Sequence, residues 1–256
     1  MLLAVDIGNT NITLGAFDGD ILLFTARLAT DKRLTSDQYS YEIKNILSLH
    51  DKKLSDVEDC IIASVVPNVE NSICKALTNV CPVVPLCVGP GIKTGLNIKI
   101  DNPAQLGADL VAGAVGAIAR YELPCLVMDL GTATKISVID GDGTFLGCTI
   151  AAGIRISLDA LSARTSQLPA IALGAPEHII GKNTPDCIKA GTVIGTAAML
   201  DGMADRLEKE LGKEIRTVVA TGGLSREIVT CCERNIIYNK DLVLEGLLTI
   251  YRKNRQ

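Results

Sequence analysis

Near the start of the chain, a short apolar run ends in an acid, Asp6, and a turn of small residues, Gly8-Asn9-Thr10-Asn11. Gly8 lets backbone amides approach a ligand closely, and the three residues after it add short polar side chains. Backbone N–H groups in such a turn can bind phosphate oxygens. Asp6 repels a bare phosphate, so its position makes sense if a cation such as Mg²⁺ lies between the carboxylate and the phosphates. Taken alone, the stretch is equally compatible with an ordinary hairpin turn.

A second copy of this pattern favours the phosphate interpretation. Asp129 follows Asp6 by 123 residues, and Gly131 follows Gly8 by the same interval. Both copies continue into an alternating, strand-like segment that ends in an acidic glycine turn, which is typical of a tight hairpin. Because the interval is nearly half of the 256 residues, we interpret the chain as a duplicated domain with two phosphate loops that face one cleft.

A third acid, Asp109, lies between the two copies, at or near the start of a helix that is rich in Gly and Ala. The helix dipole favours an acid at this position, and a catalytic carboxylate is the alternative; the sequence alone leaves both open. Gly113 and Gly116 inside the helix each cost about 1 kcal/mol relative to Ala. We therefore expect this helix to pack closely against another backbone, as where two domains cross.

Two later stretches contain residues that could cap a helix or contact a ligand. Thr184 followed by Pro185 predicts the N-cap and first position of a helix that runs to about Leu211. Capping alone explains Thr184. Further on, a strand is followed by Gly222 and Gly223, whose bare backbone allows a flat group such as adenine to lie close. Gly-Gly turns are common, so this signal is weak by itself.

The elements around these motifs indicate an α/β protein, because strands come first in hairpins and then alternate with helices. Thr35 and Gln38 have the spacing of a capping box and predict the first helix. A helix over 155–168 is predicted after the second hairpin. The chain length suits two domains of similar size, which we place at 1–121 and 122–256.

Composition excludes several function classes. A net charge of −4 gives no electrostatic basis for nucleic-acid binding. No apolar run approaches the roughly 20 residues of a membrane span, and no signal peptide is recognisable, so we expect a cytoplasmic protein. The nine cysteines form no CxxC pair, and with only two histidines they offer no zinc-type spacing. Most of them are predicted to be small core residues of a reduced protein.

Four motifs together resemble those of type III pantothenate kinases, in order and over nearly the whole chain: Asp-Ile-Gly-Asn-Thr at 6–10, Gly-Ala-Asp at 107–109, Asp-Leu-Gly-Thr-Ala-Thr at 129–134 and Thr-Gly-Gly at 221–223. The resemblance implies a duplicated ribonuclease-H-like fold of the actin-like ATPase superfamily, with two domains around a central nucleotide cleft. It also implies ATP-dependent phosphorylation of pantothenate to 4′-phosphopantothenate, the first step of coenzyme A biosynthesis. The implied enzyme is a homodimer that uses Mg²⁺ and a monovalent cation, K⁺ or NH₄⁺.

The resemblance implies a role for each motif residue. Asp109 matches the general base that takes the proton of the pantothenate hydroxyl, Asp129 matches the ligand of the monovalent cation, and Asp6 would lie near the Mg²⁺ of ATP. The residues that would contact ATP are Asp6, Gly8, Asn9, Thr10, Asn11, Thr13, Thr132, Gly222 and Gly223. Those that would border pantothenate are Ile100, Gly107, Ala108, Asp109, Leu110 and, across the dimer interface, Thr184.

Two pocket positions depart from the family pattern. Ile100 stands where the family usually has Tyr, and Leu110 where it usually has Arg. Charge-assisted contacts are worth about 1.5–3 kcal/mol each, so losing them would raise the Kd for pantothenate by about ten- to a hundredfold or more. Three functions stay open: an active pantothenate kinase, a non-catalytic nucleotide-binding paralogue with a regulatory or accessory role, and a kinase for a different small alcohol.

Overall fold

The structure is a computed structural model that describes residues 1–255. Its strands are β1 (Leu2–Ile7), β2 (Asn11–Asp18), β3 (Ile21–Ala29), β4 (Asp59–Ser64), β5 (Leu86–Cys87), β6 (Asn97–Ile98), β7 (Cys125–Leu130), β8 (Ala133–Ile139), β9 (Thr144–Ala152), β10 (Thr217–Thr221) and β11 (Ile237–Tyr238). Its helices are α1 (Ser36–Leu49), α2 (Pro67–Val80), α3 (Ala108–Arg120), α4 (Ile154–Arg164), α5 (Thr184–Leu211), α6 (Ser225–Val229) and α7 (Leu242–Arg255). Within these residues, every helix is too short or too polar to cross a bilayer.

The chain forms two compact units. Unit 1 contains Met1–Leu96, Asn102–Ala119 and the segment that begins at Leu242; unit 2 contains Asn97–Asp101 and Arg120–Asp241. This division differs from the predicted domains at two places, because α7 packs with unit 1 and β6 pairs within unit 2. Apolar periodicity shows that a helix is amphipathic, but it does not reveal which sheet the helix covers.

The two sheets have the same topology. In unit 1 the strand order is β3-β2-β1-β4-β5, and in unit 2 it is β9-β8-β7-β10-β11, with β6 added beside β9. In each unit the three strands of the hairpins, β1–β3 and β7–β9, run antiparallel, and the two strands that follow them join the sheet in parallel. The predicted duplication of a ribonuclease-H-like α/β fold is therefore confirmed at the level of strand order and direction.

Irregularities of the two hairpin pairs also match. The pairing of β2 with β3 shifts register between Ala16 and Phe17, and that of β8 with β9 shifts between Val138 and Ile139. A shift at the same place in both copies is expected of duplicated units, because bulges are features that a fold retains. Each sheet packs its apolar side chains into a core of its own.

Close packing of α3 is confirmed, but its partner was not foreseen. A Cβ on Gly116 would lie 2.4 Å from the carbonyl oxygen of Leu242, and one on Gly246 would lie 1.8 Å from that of Ala112. The glycines let α3 and α7 touch backbone to backbone within unit 1. At Gly116 the neighbouring backbone therefore comes from the end of the chain and from the same unit. The expected crossing of two domains stays a prediction.

Local signals at helix ends are largely reproduced. The capping box at Thr35 and Gln38 is present at the start of α1. The cap of α5 is Asn183 rather than Thr184, because the Asn183 side chain accepts the N–H of Asp186 at 3.0 Å and leaves Thr184 as the first helical residue. The helix predicted over 155–168 is α4, which ends earlier, at Arg164.

The prediction that most cysteines are core residues holds for only three of nine, Cys60, Cys81 and Cys125. Burial raises the pKa of the Cys125 thiol to about 12, so this sulfur is an inert core group. Cys148 and Cys187 are exposed, and the other four are half-buried. Apolar neighbours in sequence do not decide burial, because alternate residues of a strand point to opposite faces of the sheet.

Candidate active site

The first acidic loop follows β1 in unit 1. Asp6 is the last residue but one of the strand, is half-buried, and pairs across the sheet with Thr13 of β2. The turn is closed by the N–H of Gly8, which donates to the carbonyl oxygen of Asn11 at 3.0 Å. The hydroxyl of Thr30 donates to the carbonyl oxygen of Gly8 at 2.7 Å and ties the turn to the end of β3.

The rest of this loop is open to a ligand. Asn9, Thr10 and Asn11 are exposed. A Cβ on Gly8 would lie 3.1 Å from the oxygen of Asn11, so the turn leaves little room for a larger residue there. The loop therefore presents small polar groups next to a half-buried carboxylate, as the sequence pattern predicts.

Asp109 is the second residue of α3, and its Oδ1 accepts the backbone N–H of Leu110 at 2.8 Å. Gly107 lies against this carboxylate, because a Cβ there would be 2.5 Å from Asp109 Oδ1 and 3.5 Å from Val65 Cγ1. The N–H of Val65 in turn donates to the carbonyl oxygen of Ile7 at 3.1 Å. Unit 1 thus brings Asp109 to the end of β1 that carries the first acidic loop.

The second acidic loop follows β7 in unit 2. Asp129 is again the last residue but one of its strand and is half-buried. Its cross-strand partner on β8 is Lys135, whose Nζ lies 2.7 Å from Asp129 Oδ2. The Lys135 side chain is 16% exposed and that of Asp129 is 21% exposed. The turn is closed by the N–H of Gly131, which donates to the carbonyl oxygen of Ala133 at 3.2 Å.

Two glycine segments of unit 2 lie against this loop. The N–H of Gly153, just before α4, donates to the carbonyl oxygen of Thr132 at 3.1 Å, and a Cβ there would come within 2.3 Å of that oxygen. Gly222 has φ +101°, and a Cβ on it would lie 2.6 Å from the carbonyl oxygen of Leu130. Only glycine fits both positions. Thr132 and Gly223 are exposed beside them.

Neither Thr184 nor Ile100 takes part in the hydrogen bonds and glycine contacts described above for the second acidic loop. Thr184 is exposed at the start of α5 and lines a cavity of about 910 Å³ with α4 and Thr134 of β8. Neither Asp129 nor Gly222 lines it. Ile100 follows β6, which pairs with the start of β9, whereas the loop meets the residue after the end of β9.

The two implied cations differ in how well the residues suit them. A half-buried carboxylate that precedes a turn of exposed Asn and Thr residues, as at Asp6, suits Mg²⁺, which takes oxygen ligands and keeps waters and phosphates as the others. At Asp129 the ammonium of Lys135 already lies at hydrogen-bond distance from a carboxylate oxygen. A monovalent metal ion on that oxygen does not fit while this ion pair is formed.

Lys135 is the site residue that motif reading missed. The strand register shows why: the turn between Leu130 and Thr134 is one residue shorter than that between Ile7 and Ile12. With this deletion, Lys135 aligns with Thr13 and becomes the neighbour of Asp129. Counting a constant interval of 123 residues hides the correspondence.

A family model for type III pantothenate kinase matches residues 2–206. The type III pantothenate kinase of Exiguobacterium sp. strain AT1b is 41% identical over 256 residues, which is 100% of both chains. That of Agathobacter rectalis is 40% identical over 256 residues, covering 100% of this chain and 98% of the relative. A crystal structure of a candidate Baf family transcriptional activator from Campylobacter jejuni shares the fold, with a TM-score of 0.62, 19% identity and 99% and 98% coverage. The chain belongs to the type III pantothenate kinase family.

Proposed function

We propose that this chain transfers the γ-phosphoryl group of ATP to the hydroxyl of pantothenate, giving 4′-phosphopantothenate in the first step of coenzyme A biosynthesis. The observation that carries the proposal is the placement of Asp109 at the end of β1 that also bears the acidic loop of Asp6. Phosphoryl transfer depends on positioning and charge neutralisation more than on covalent chemistry, and two acids at one sheet edge suit that need.

Asp109 is proposed as the general base. Its carboxylate would accept the proton of the pantothenate hydroxyl as the oxygen attacks phosphorus. The N–H of Leu110 holds one carboxylate oxygen at 2.8 Å and thereby fixes the orientation of the group at the helix start. A fixed base is favourable because little reorganisation is needed when the proton moves.

The nucleotide contacts are proposed from the loops of both units. In unit 1 they are Asp6, Gly8, Asn9, Thr10, Asn11 and Thr13; in unit 2 they are Thr132, Gly222 and Gly223. When bound beside Asp6, Mg²⁺ would supply neutralisation of the phosphate charge. The glycine turn of unit 2 would lie along the adenosine, where its lack of side chains leaves backbone free for contact. Asp129 would hold a single positive charge next to the phosphates, which the family resemblance assigns to K⁺ or NH₄⁺.

The pantothenate pocket and the homodimer are proposed together. Gly107, Ala108 and Leu110 would border the substrate in one subunit, with Ile100 as a further contact and Thr184 supplied by the partner. Exposed apolar side chains just before α5 support an interface: Ile179 and Ile180 are 71% and 81% exposed. A protein of this metabolic class is proposed to act in the cytoplasm.

The two other functions considered from the sequence are not favoured. The chain spans its 41%-identical relative completely, and the acids of all three motifs are present. The changes at Ile100 and Leu110 are therefore interpreted as changes in substrate affinity within the same reaction.

The proposal is tested with Asp109→Asn, which keeps the shape of the side chain and removes the base. We expect kcat for phosphopantothenate formation to fall by about 10²–10⁴-fold, while the ATP Kd measured by calorimetry stays within twofold. The matched control is Asp37→Asn, since Asp37 is also the second residue of its helix and is exposed. The control should leave kcat unchanged.

Two results would contradict this assignment. If Asp109→Asn keeps full kcat, the residue is not the base. If both variants lose only the same amount of thermal stability, Asp109 is a helix-end acid and nothing more.

A further inference from the structure

The ion pair between Lys135 and Asp129 is built by the sheet. The two residues are direct partners in the antiparallel pairing of β7 with β8, so their side chains project from the same face. Nζ lies 2.7 Å from Oδ2, and each side chain is about four-fifths covered. Strand register therefore holds the ammonium at the carboxylate, which distinguishes this contact from a chance pairing of two long surface side chains.

The first repeat carries a different residue type at the equivalent cross-strand position. The equivalent partner of Asp6 is Thr13, a neutral residue. The duplicated fold thus offers an internal comparison: one acidic loop is paired across the hairpin with a hydroxyl, the other with an ammonium. A Lys ammonium carries the same single charge as K⁺ or NH₄⁺ and has three N–H donors for oxygen ligands.

We propose that Lys135 supplies, from within the chain, the positive charge at Asp129, so that ATP binding and phosphoryl transfer do not require a free monovalent cation. This inference rests on the proposed kinase function, because it concerns the second loop of that site.

Lys135 and a free cation would compete for the same carboxylate oxygen, Asp129 Oδ2. A tethered ammonium is present at high effective concentration and needs no loss of translational freedom to reach its partner. A free ion on this oxygen would have to displace an ammonium that strand register already holds there, in a mostly covered position. Because the pair is largely shielded, salt in the buffer screens it weakly.

The test compares the wild-type protein with Lys135→Thr, which installs the residue of the first repeat. The ATP Kd is measured by calorimetry with Mg²⁺ in 100 mM tetramethylammonium chloride and in 100 mM KCl, at equal ionic strength. For the wild type we expect the two Kd values to agree within twofold. For Lys135→Thr we expect a Kd at least tenfold weaker in tetramethylammonium, restored by KCl. Melting midpoints with ATP should follow the same pattern.

Two variants serve as controls. Lys213→Thr breaks another Lys–Asp pair of unit 2, with Asp140 at the far end of β8, and removes the same charge. It should show no response to K⁺. Lys135→Arg keeps the charge and should remain independent of K⁺, which also covers the case in which Lys135→Thr fails to fold.

Three results would overturn the inference. They are a wild-type Kd that improves more than fivefold in KCl, a Lys135→Thr variant that binds ATP equally in both salts, and no ATP binding by the wild type in either salt. The wild type could bind ATP independently of K⁺ and still not phosphorylate pantothenate. That result would support the inference and refute only the acceptor named in the proposed function.

Discussion

At the scale of single residues, the site depends on what each acid has beside it. Asp6 has Thr13 across the strand, Asp129 has Lys135, and Asp109 has the N–H of its own following residue. The positions of the acids could be predicted from the sequence, because an apolar run followed by Asp and Gly is visible without coordinates. Their partners could not be predicted from a motif, since cross-strand register depends on the length of the turn.

Leu110 provides a test of the altered substrate pocket. Leu110→Arg should lower the KM for pantothenate about tenfold or more, because a guanidinium can form charge-assisted hydrogen bonds of about 1.5–3 kcal/mol each. The KM for ATP should stay unchanged. Steady-state kinetics with Leu110→Met as an uncharged control separate charge from side-chain length. An unchanged KM in Leu110→Arg would show that this position does not border the carboxylate or hydroxyls of the substrate.

At the scale of elements, the hairpins carry the two acidic loops, and the helix that carries Asp109, α3, packs against α7. The hairpins could be predicted because acidic glycine turns follow alternating segments in both copies, and α5 could be predicted from its Pro185 start. The position of α7 could not be predicted from the sequence. Gly116 of α3 indicated a close contact, but a glycine shows only that a backbone comes near and not which backbone that is; the partner is α7, at Gly246.

The crossing of α3 and α7 predicts a large effect of one methyl group. Gly246→Ala would place a Cβ 1.8 Å from the carbonyl oxygen of Ala112, so the helices must separate. We expect a loss of about 3 kcal/mol in the free energy of unfolding, measured in urea. The control Gly202→Ala, in α5, meets only the Arg206 side chain at 3.4 Å and should gain up to about 1 kcal/mol. Equal effects of both would contradict the crossing.

The turn between β8 and β9 predicts a pH dependence of stability. The Lys213 ammonium, and then the backbone N–H of Gly141, hold the pKa of Asp140 below its ordinary value of 3.8. A pKa that is lower in the folded state adds stability at pH values above the unfolded pKa, and this stability is lost as the pH falls through the folded pKa. Lys213→Met should therefore lower the urea midpoint at pH 7.

This loss should shrink as the pH is reduced below about 4, because Asp140 becomes protonated in both states. Lys209→Met removes a charge from an exposed lysine of α5 and should show no such change with pH. A difference between Lys213→Met and the wild type that stays constant from pH 7 to pH 3 would show that the ion pair adds nothing to the stability of the turn.

At the scale of the whole molecule, duplication explains why one chain carries two acidic loops. Each unit repeats the same strand order, the same register shift and an acid one residue before the end of its first strand. The repeats then diverge at single positions, Thr13 against Lys135 being the clearest. Fold and family follow from the shared features, and the chemistry proposed for each loop follows from the differences.

The most direct test of the account is phosphoryl transfer itself. The wild-type chain is incubated with γ-labelled ATP, Mg²⁺ and pantothenate, and the products are separated by chromatography. The account predicts labelled 4′-phosphopantothenate in amounts equal to the ADP formed, and a rate about 10²–10⁴-fold lower with Asp109→Asn. A folded protein that binds ATP but forms no phosphopantothenate at millimolar pantothenate would contradict it.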